Sequence, residues 1–205
     1  MWKAPMIGKV FRIFRERGGV LRALGLWEWY EALNPKDQKR VRYYFSLKSI
    51  RDMRFPFRAK HFESGEVNNP GYTRATLLGT LAQTALLEGK YEDAEWLYQS
   101  ALEFAEDPYE KHLILNDLLM LYQKLRDFDR MERYALMDLQ LFEDYRDKLR
   151  DRMGGSLPQL SSYELLVYIL ERKGEKGKAL EILEKFHKEG IPHPFYEKVR
   201  ERLKA

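Results

Sequence analysis

Gly89-Lys90-Tyr91-Glu92-Asp93-Ala94 closes one apolar helical pattern and opens another. The glycine supplies the left-handed turn that ends a helix, and an alanine follows in the first turns of the next one. The same arrangement returns as Gly174-Glu175-Lys176-Gly177-Lys178-Ala179, with glycine and alanine at the same offset. A helix pair that recurs along a chain cannot bury its apolar face alone. Its neighbours stack on it, and the product is a helical scaffold whose usual work is to hold another molecule.

Working outward, helix follows helix. The spacing predicts helices near 72–88, 91–106, 109–125, 128–152, 162–173, 176–188 and 194–204. Asp107-Pro108-Tyr109-Glu110 is a start signal, with Asp as cap and Pro first in the helix. Ser161 with Glu164 has the spacing of a capping box. Gly154-Gly155 and Pro158 break the chain between the fourth and fifth of these helices. Upstream, Ile7, Val10, Phe11 and Phe14 form one apolar helical stripe, which Gly18-Gly19 is expected to end. A second apolar segment runs from Val20 to Leu33. Asn34-Pro35-Lys36-Asp37 then opens a helix that reaches about Met53, before Phe55-Pro56. The apolar residues of that helix, Val41, Tyr44, Phe45, Leu47 and Ile50, do not gather on one narrow face, which suggests burial between neighbours. Residues 63–71 are the most loop-like stretch. No segment alternates as a strand does, so the expected fold is all-α. It divides into a basic, aromatic helical region over 1–62, a loop over 63–71 and a repeat domain over 72–205.

The repeat domain resembles the tetratricopeptide repeat, a helix–turn–helix unit of about 34 residues. A first copy, about 75–108, supplies Leu78, Leu81, Ala82, Gly89, Tyr91, Ala94, Tyr98 and Ala101. Ala85 stands where an aromatic is usual, and Pro108 comes two positions late. A second copy, about 112–150, supplies Leu115, Leu118, Leu119, Tyr122, Phe128 and Ala135. There Met131 and Asp138 replace two alanines, and the second helix overruns. A third, about 160–192, supplies Leu166, Leu170, Gly174, Ala179, Leu183 and Pro192, followed by a last helix with Phe195, Val199 and Leu203. The resemblance implies an α-solenoid of about three helix pairs, with the N-terminal 70 residues outside it.

In that family the first helix of each pair lines a concave groove that receives a peptide or a partner helix. Carried onto matching positions, the groove shows Thr76, Gly79 and Gln83, then Asn116, Met120 and Gln123, then Glu164, Tyr168 and Glu171. Met120 and Tyr168 have packing as an alternative role. Some family members grip a C-terminal carboxylate with Lys, Arg and Asn at such positions. This chain offers no cation there.

Composition is consistent with a folded, reducing-compartment protein: 44% apolar residues, 14% aromatic and no cysteine. No run approaches the roughly 20 apolar residues of a membrane span, and Lys9, Arg12 and Arg15 interrupt the N-terminal apolar pattern. A cytoplasmic location is the expectation. Four Asn and six Gln beside 33% charged residues lean toward a thermophile. The net charge of +4 hides a split. Residues 1–62 carry 15 Lys and Arg against five Asp and Glu, giving +10, while 63–205 carry 21 against 27, giving −6. The basic part is either a solvated helix face or a surface for an acidic partner. Lys39, Arg40, Arg42, Arg51, Arg54 and Arg58, interleaved with Tyr43 and Tyr44, are its candidates for nucleic acid, although no recognition motif accompanies them, and the first helix is the candidate for an anionic membrane surface. A basic and an acidic half could also pair copies head to tail, and the measured mass would then fall toward 24.6 kDa as salt rises.

Chemistry is sparse. His61, His112, His187 and His193 lack the i, i+4 pairing of helical zinc sites, so no metal or cofactor is expected. Lys173 to Ala179 has the look of a phosphate loop. It carries Arg172 where the leading glycine belongs and Ala179 where Ser or Thr belongs, and it follows a helix instead of a strand. It is better read as the third repeat's turn. No catalytic group is assigned. The sequence points to a non-enzymatic module that binds a protein or peptide, with nucleic-acid or membrane-surface binding by the first third as the alternative.

Overall fold

Among the described residues, 17–205 of a computed structural model, every regular element is helical: eleven α-helices and one 3-10 turn, with no strand. The predicted helix over Met1–Arg17 falls, but for Arg17, outside the described residues. The chain divides into two compact units between Arg74 and Ala75. Each is taken by itself.

The first unit holds α1 (Gly19–Ala23), α2 (Trp27–Ala32), α3 (Pro35–Arg51) and a 3-10 turn (Ala59–His61). α3 starts as its sequence predicts: Asn34 Oδ1 accepts from Asp37 N–H at 3.0 Å, and Pro35 fills the first helical position, where no donor is lost. The expectation that its apolar residues would be buried all round is corrected. Val41, Tyr44 and Phe45 form a single buried stripe, and Ile50 is 77% exposed. That stripe suffices because Phe45 anchors an aromatic cluster, with ring centroids 4.7 Å from Phe62 and 5.4 Å from Phe55.

Gly18-Gly19 opens α1, and the helix it is expected to end lies outside the described residues. A close backbone approach shapes this start. Gly19 has φ +64°, and a Cβ there would sit 2.4 Å from the His61 carbonyl oxygen and 2.7 Å from that of Phe62. Its N–H donates to Gly65 O at 2.7 Å. Only glycine fits. Residues 63–65 are therefore built into the first unit, and Glu63 deepens the tie by accepting from Tyr30 Oη (2.7 Å) and Arg42 Nη2 (2.5 Å).

The second unit runs through α4 (Arg74–Leu87), α5 (Tyr91–Phe104), α6 (Pro108–Leu125), α7 (Phe128–Gln140), α8 (Phe142–Arg152), α9 (Ser161–Arg172), α10 (Lys176–Lys188) and α11 (Tyr196–Lys204). Neighbours pack in sequence order, α5 on α6, α6 on α7, α9 on α10 and α10 on α11, while α9 also packs on α7 and α6. The turns repeat atom for atom. Gly89 (φ +69°) donates to Leu86 O and Lys90 to Ala85 O; Gly174 (φ +79°) donates to Glu171 O and Glu175 to Leu170 O. The turn between α6 and α7 closes identically, Arg126 N to Gln123 O and Asp127 N to Tyr122 O, with Arg126 (φ +56°) where its counterparts have glycine. Ala94, Ala101, Ala135 and Ala179, the small residues that let paired helices approach, are fully buried.

Two expectations change here. The helix predicted over 128–152 is two helices, broken at Leu141, where Leu141 N bonds to Asp138 O and Asp144 N to Leu141 O. These tight i to i−3 links re-aim the chain so that Phe142, Tyr145 and Leu149 are buried. The predicted capping box is absent as well. Leu160 occupies the cap position of α9 with no side-chain bond, and Ser161 is already helical. Glu164 is thereby freed from a capping role.

Asp138, which stands in place of a repeat alanine, is 0% exposed and fully partnered. Its Oδ1 meets His112 Nδ1 at 2.8 Å, and its Oδ2 accepts from Ser162 Oγ at 2.6 Å. Asn116 Nδ2 lies 3.0 Å from His112 Nε2, and the Tyr145 ring stacks on the imidazole at 4.3 Å. One buried polar knot thus joins α6, α7 and α9. No helix among the described residues is long and apolar enough to cross a membrane.

Candidate functional site

α9 and α11 run side by side in the same direction. At their starts the His193 ring lies 5.4 Å from Tyr163, and at their ends Arg202 grips Glu171 through two hydrogen bonds, one of 2.7 Å. The α6–α7 turn closes the third side, with Phe128 6.4 Å from Tyr168. Between these walls is an open groove of about 930 Å³.

Of the predicted groove residues, the structure brings four to this groove: Gln123, Glu164, Tyr168 and Glu171. The face of α9 explains this, because Ser161, Glu164, Tyr168 and Glu171 fall three or four positions apart. The others go elsewhere. Thr76 is half-buried on α4, Gly79 is buried and Gln83 is exposed. Asn116 turns toward His112, and Met120 stays 53% exposed outside the groove lining.

The groove also holds residues that the sequence reading missed. Arg126, Arg172, Lys198 and Arg202 supply the cations absent from the family positions, and His193 and Phe195 come from the loop before α11. Arg126 had a legible signal: it occupies the turn position that glycine holds at 89 and 174. Lys198 and Arg202 had none, since they lie on α11, after the last of the predicted repeats.

Charge in the groove is unevenly settled. The Arg202 guanidinium holds the Glu171 carboxyl below its ordinary range. Arg172 donates to the Tyr168 hydroxyl at 2.7 Å and lies 5.2 Å over the Phe128 ring, a cation held by aromatic groups and not by a carboxylate. Arg126 and Lys198 have no side-chain partner among the described residues. At the other end, burial pushes the Glu164 carboxyl up, with Gln159 pulling back, and burial pushes the His193 imidazole down. Glu164 Oε1 and His193 Nδ1 are both buried without a hydrogen-bond partner. Buried polar atoms are seldom left so, and both line one groove. Arg126 (φ +56°) and Phe195 (φ +68°) add strained backbone to it, and Phe195 is 75% exposed.

The basic residues of the first unit are mostly engaged. Arg40 pairs with Asp37 (3.1 Å), Arg42 with Glu63, and Arg54 approaches Asp52 (3.8 Å), while Arg51 has a partner too. Lys39 and the Arg58 side chain point outward and exposed. The histidines do not converge. His61 Nδ1 accepts from Arg58 N, His187 stacks on Tyr196 at 3.7 Å, and His112 is sealed in the knot at 4% exposure. Among the described residues no group of three metal-binding side chains forms. In the Lys173–Ala179 turn, Lys173 pairs with Asp129 and Glu132, and Lys178 with Glu175 (2.5 Å).

Fold and site together define a class: an all-α protein whose second unit carries an open groove walled by aromatic and charged side chains. Within that class, the chain belongs to the family of a protein of Aquifex aeolicus (strain VF5) described as uncharacterised. The two are 57% identical over 198 residues, which cover 97% of this chain and 98% of the other. No family model matches the chain. No solved structure matches it.

Proposed function

We infer that the second unit is a tetratricopeptide-like solenoid and a non-enzymatic protein-interaction module of the cytoplasm, and that its groove holds an extended peptide segment of a partner protein. The observation that carries the reading is the conjunction in one groove of exposed aromatic rings with, among the described residues, cations that have no carboxylate partner and buried polar atoms that have no hydrogen-bond partner. A peptide answers all three, because its backbone and side chains bring apolar surface, carboxylates and N–H groups together. The identical turns at 89, 126 and 174 support the repeat, and the open side of the groove suits a chain lying along it. Nucleic-acid binding through the basic residues of the first unit has less support, since Arg40, Arg42, Arg51 and Arg54 already hold partners.

The test is selection of a random heptapeptide display library on the full-length protein, with Tyr168→Ala as counter-target. Tyr168 is 43% exposed, so its loss leaves the core intact. Peptides should be enriched, and their affinity should drop about tenfold on Tyr168→Ala, the effect of losing one aromatic anchor. A library that yields no binder, or binders indifferent to Tyr168→Ala, overturns the reading.

A further inference from the structure

Resting on that reading, we propose that the groove selects a dipolar peptide, one whose basic side chain docks on Glu164 and His193 and whose carboxylate, three or four residues away, docks on Arg126 and Arg172. The two ends of the groove ask for opposite partners. Among the described residues, Glu164 Oε1 and His193 Nδ1 are buried with no hydrogen-bond partner. His193 packs on Tyr163, the residue beside Glu164, so the two unpartnered atoms share the starting end of α9. A carboxylate left in that state is costly, and a ligand ammonium or guanidinium supplies both the missing charge and the missing donors.

At the far end the need is reversed. Among the described residues, Arg172 is held by the Tyr168 hydroxyl and by the Phe128 and Tyr168 rings, and Arg126, two residues before Phe128, has no side-chain partner. Lys198, one turn before Arg202, extends the same positive field along α11. Glu171 is already engaged, with both its oxygens accepting from Arg202. A ligand carboxylate can.

The spacing sets the register. Glu164 and Arg172 are eight residues apart on α9, about 12 Å at 1.5 Å per residue. An extended chain covers that distance in about three or four residues. A purely acidic peptide meets Glu164 unfavourably, and a purely basic one meets Arg126, Arg172 and Lys198. The order of charges is thus the specificity, exerted as much by repulsion as by attraction.

The sequences enriched in the heptapeptide selection decide the matter. Binders should carry a Lys or Arg and an Asp or Glu three or four positions apart. A synthetic binder should lose about tenfold in affinity on Glu164→Gln, and by a similar factor on the double change Arg126→Gln and Lys198→Gln. Replacing the binder's basic residue by Ala should abolish the effect of Glu164→Gln while leaving that of the arginine–lysine variant. Glu164→Gln should not lower the unfolding temperature, which separates lost binding from lost fold. Binders of a single charge sign, or binders insensitive to Glu164→Gln, overturn this proposal while leaving peptide binding intact. Failure to enrich any peptide overturns both.

Discussion

At the scale of single residues, some side chains answer to their surroundings more than to their type. Gly19 is fixed by two carbonyl oxygens that a sequence does not display. Asp117, on the half-exposed side of α6, is the clearest titrating case. Burial raises its carboxyl to about 6, with the Tyr98 hydroxyl pulling the other way. An unfolded Asp titrates near 3.9. Between those values the folded chain binds the proton more tightly than the unfolded one, so stability falls as pH rises through the window and stays low above it. Two units correspond to about 3 kcal/mol at most. Asp117→Asn should therefore raise the stability measured by urea unfolding at about pH 8 by about 1–3 kcal/mol, and the gain should vanish near pH 4. A gain of equal size at both pH values would show that charge is not its source.

At the scale of elements, local signals were legible and cross-helix ones were not. Caps at Asn34 and Asp107 and the glycine turns were readable because each depends on residues within a few positions of one another. The break at Leu141 was not, since the apolar periodicity of Phe142, Tyr145 and Leu149 continues through it and only packing re-aims the helix. The knot of His112, Asp138 and Ser162 joins residues 24 and 26 positions apart, beyond any helical spacing. It gives a structural role to a residue that departs from the expected repeat. By repeat logic alone, Asp138→Ala restores the missing small residue and should stabilise. By the structure it strands His112 Nδ1 and Ser162 Oγ in a dry interior, and should cost about 2–4 kcal/mol. Combined with Ser162→Ala it should cost less than the sum of the two, because the hydroxyl has already lost its acceptor. Denaturant midpoints of the three variants check this, and a stabilised Asp138→Ala would dismiss the knot.

At the scale of the whole molecule, the all-α fold was legible because helix periodicity and turn chemistry agree along the chain. Part of the groove was legible, namely Gln123, Glu164, Tyr168 and Glu171 on α6 and α9; the groove places of Arg126 at a turn, Phe128 on α7, Arg172 at the end of α9 and the terminal helix follow from no repeat pattern. Those late additions carry a cost. Arg126 and Phe195 both adopt left-handed backbone that glycine holds more cheaply, and the turns at 89 and 174 show glycine doing so. Strain kept where a side chain is displayed points to use of that side chain. Arg126→Gly and Phe195→Gly should each leave the fold as stable or raise its stability by about 0.5–1 kcal/mol, as relief of left-handed strain outweighs the added freedom of the unfolded chain. The same changes should weaken peptide binding several-fold. Paired melting and binding titrations on each variant test this directly: stability and affinity must move in opposite directions. If both fall together, Arg126 and Phe195 are supports of the fold and the strain has no tie to the groove.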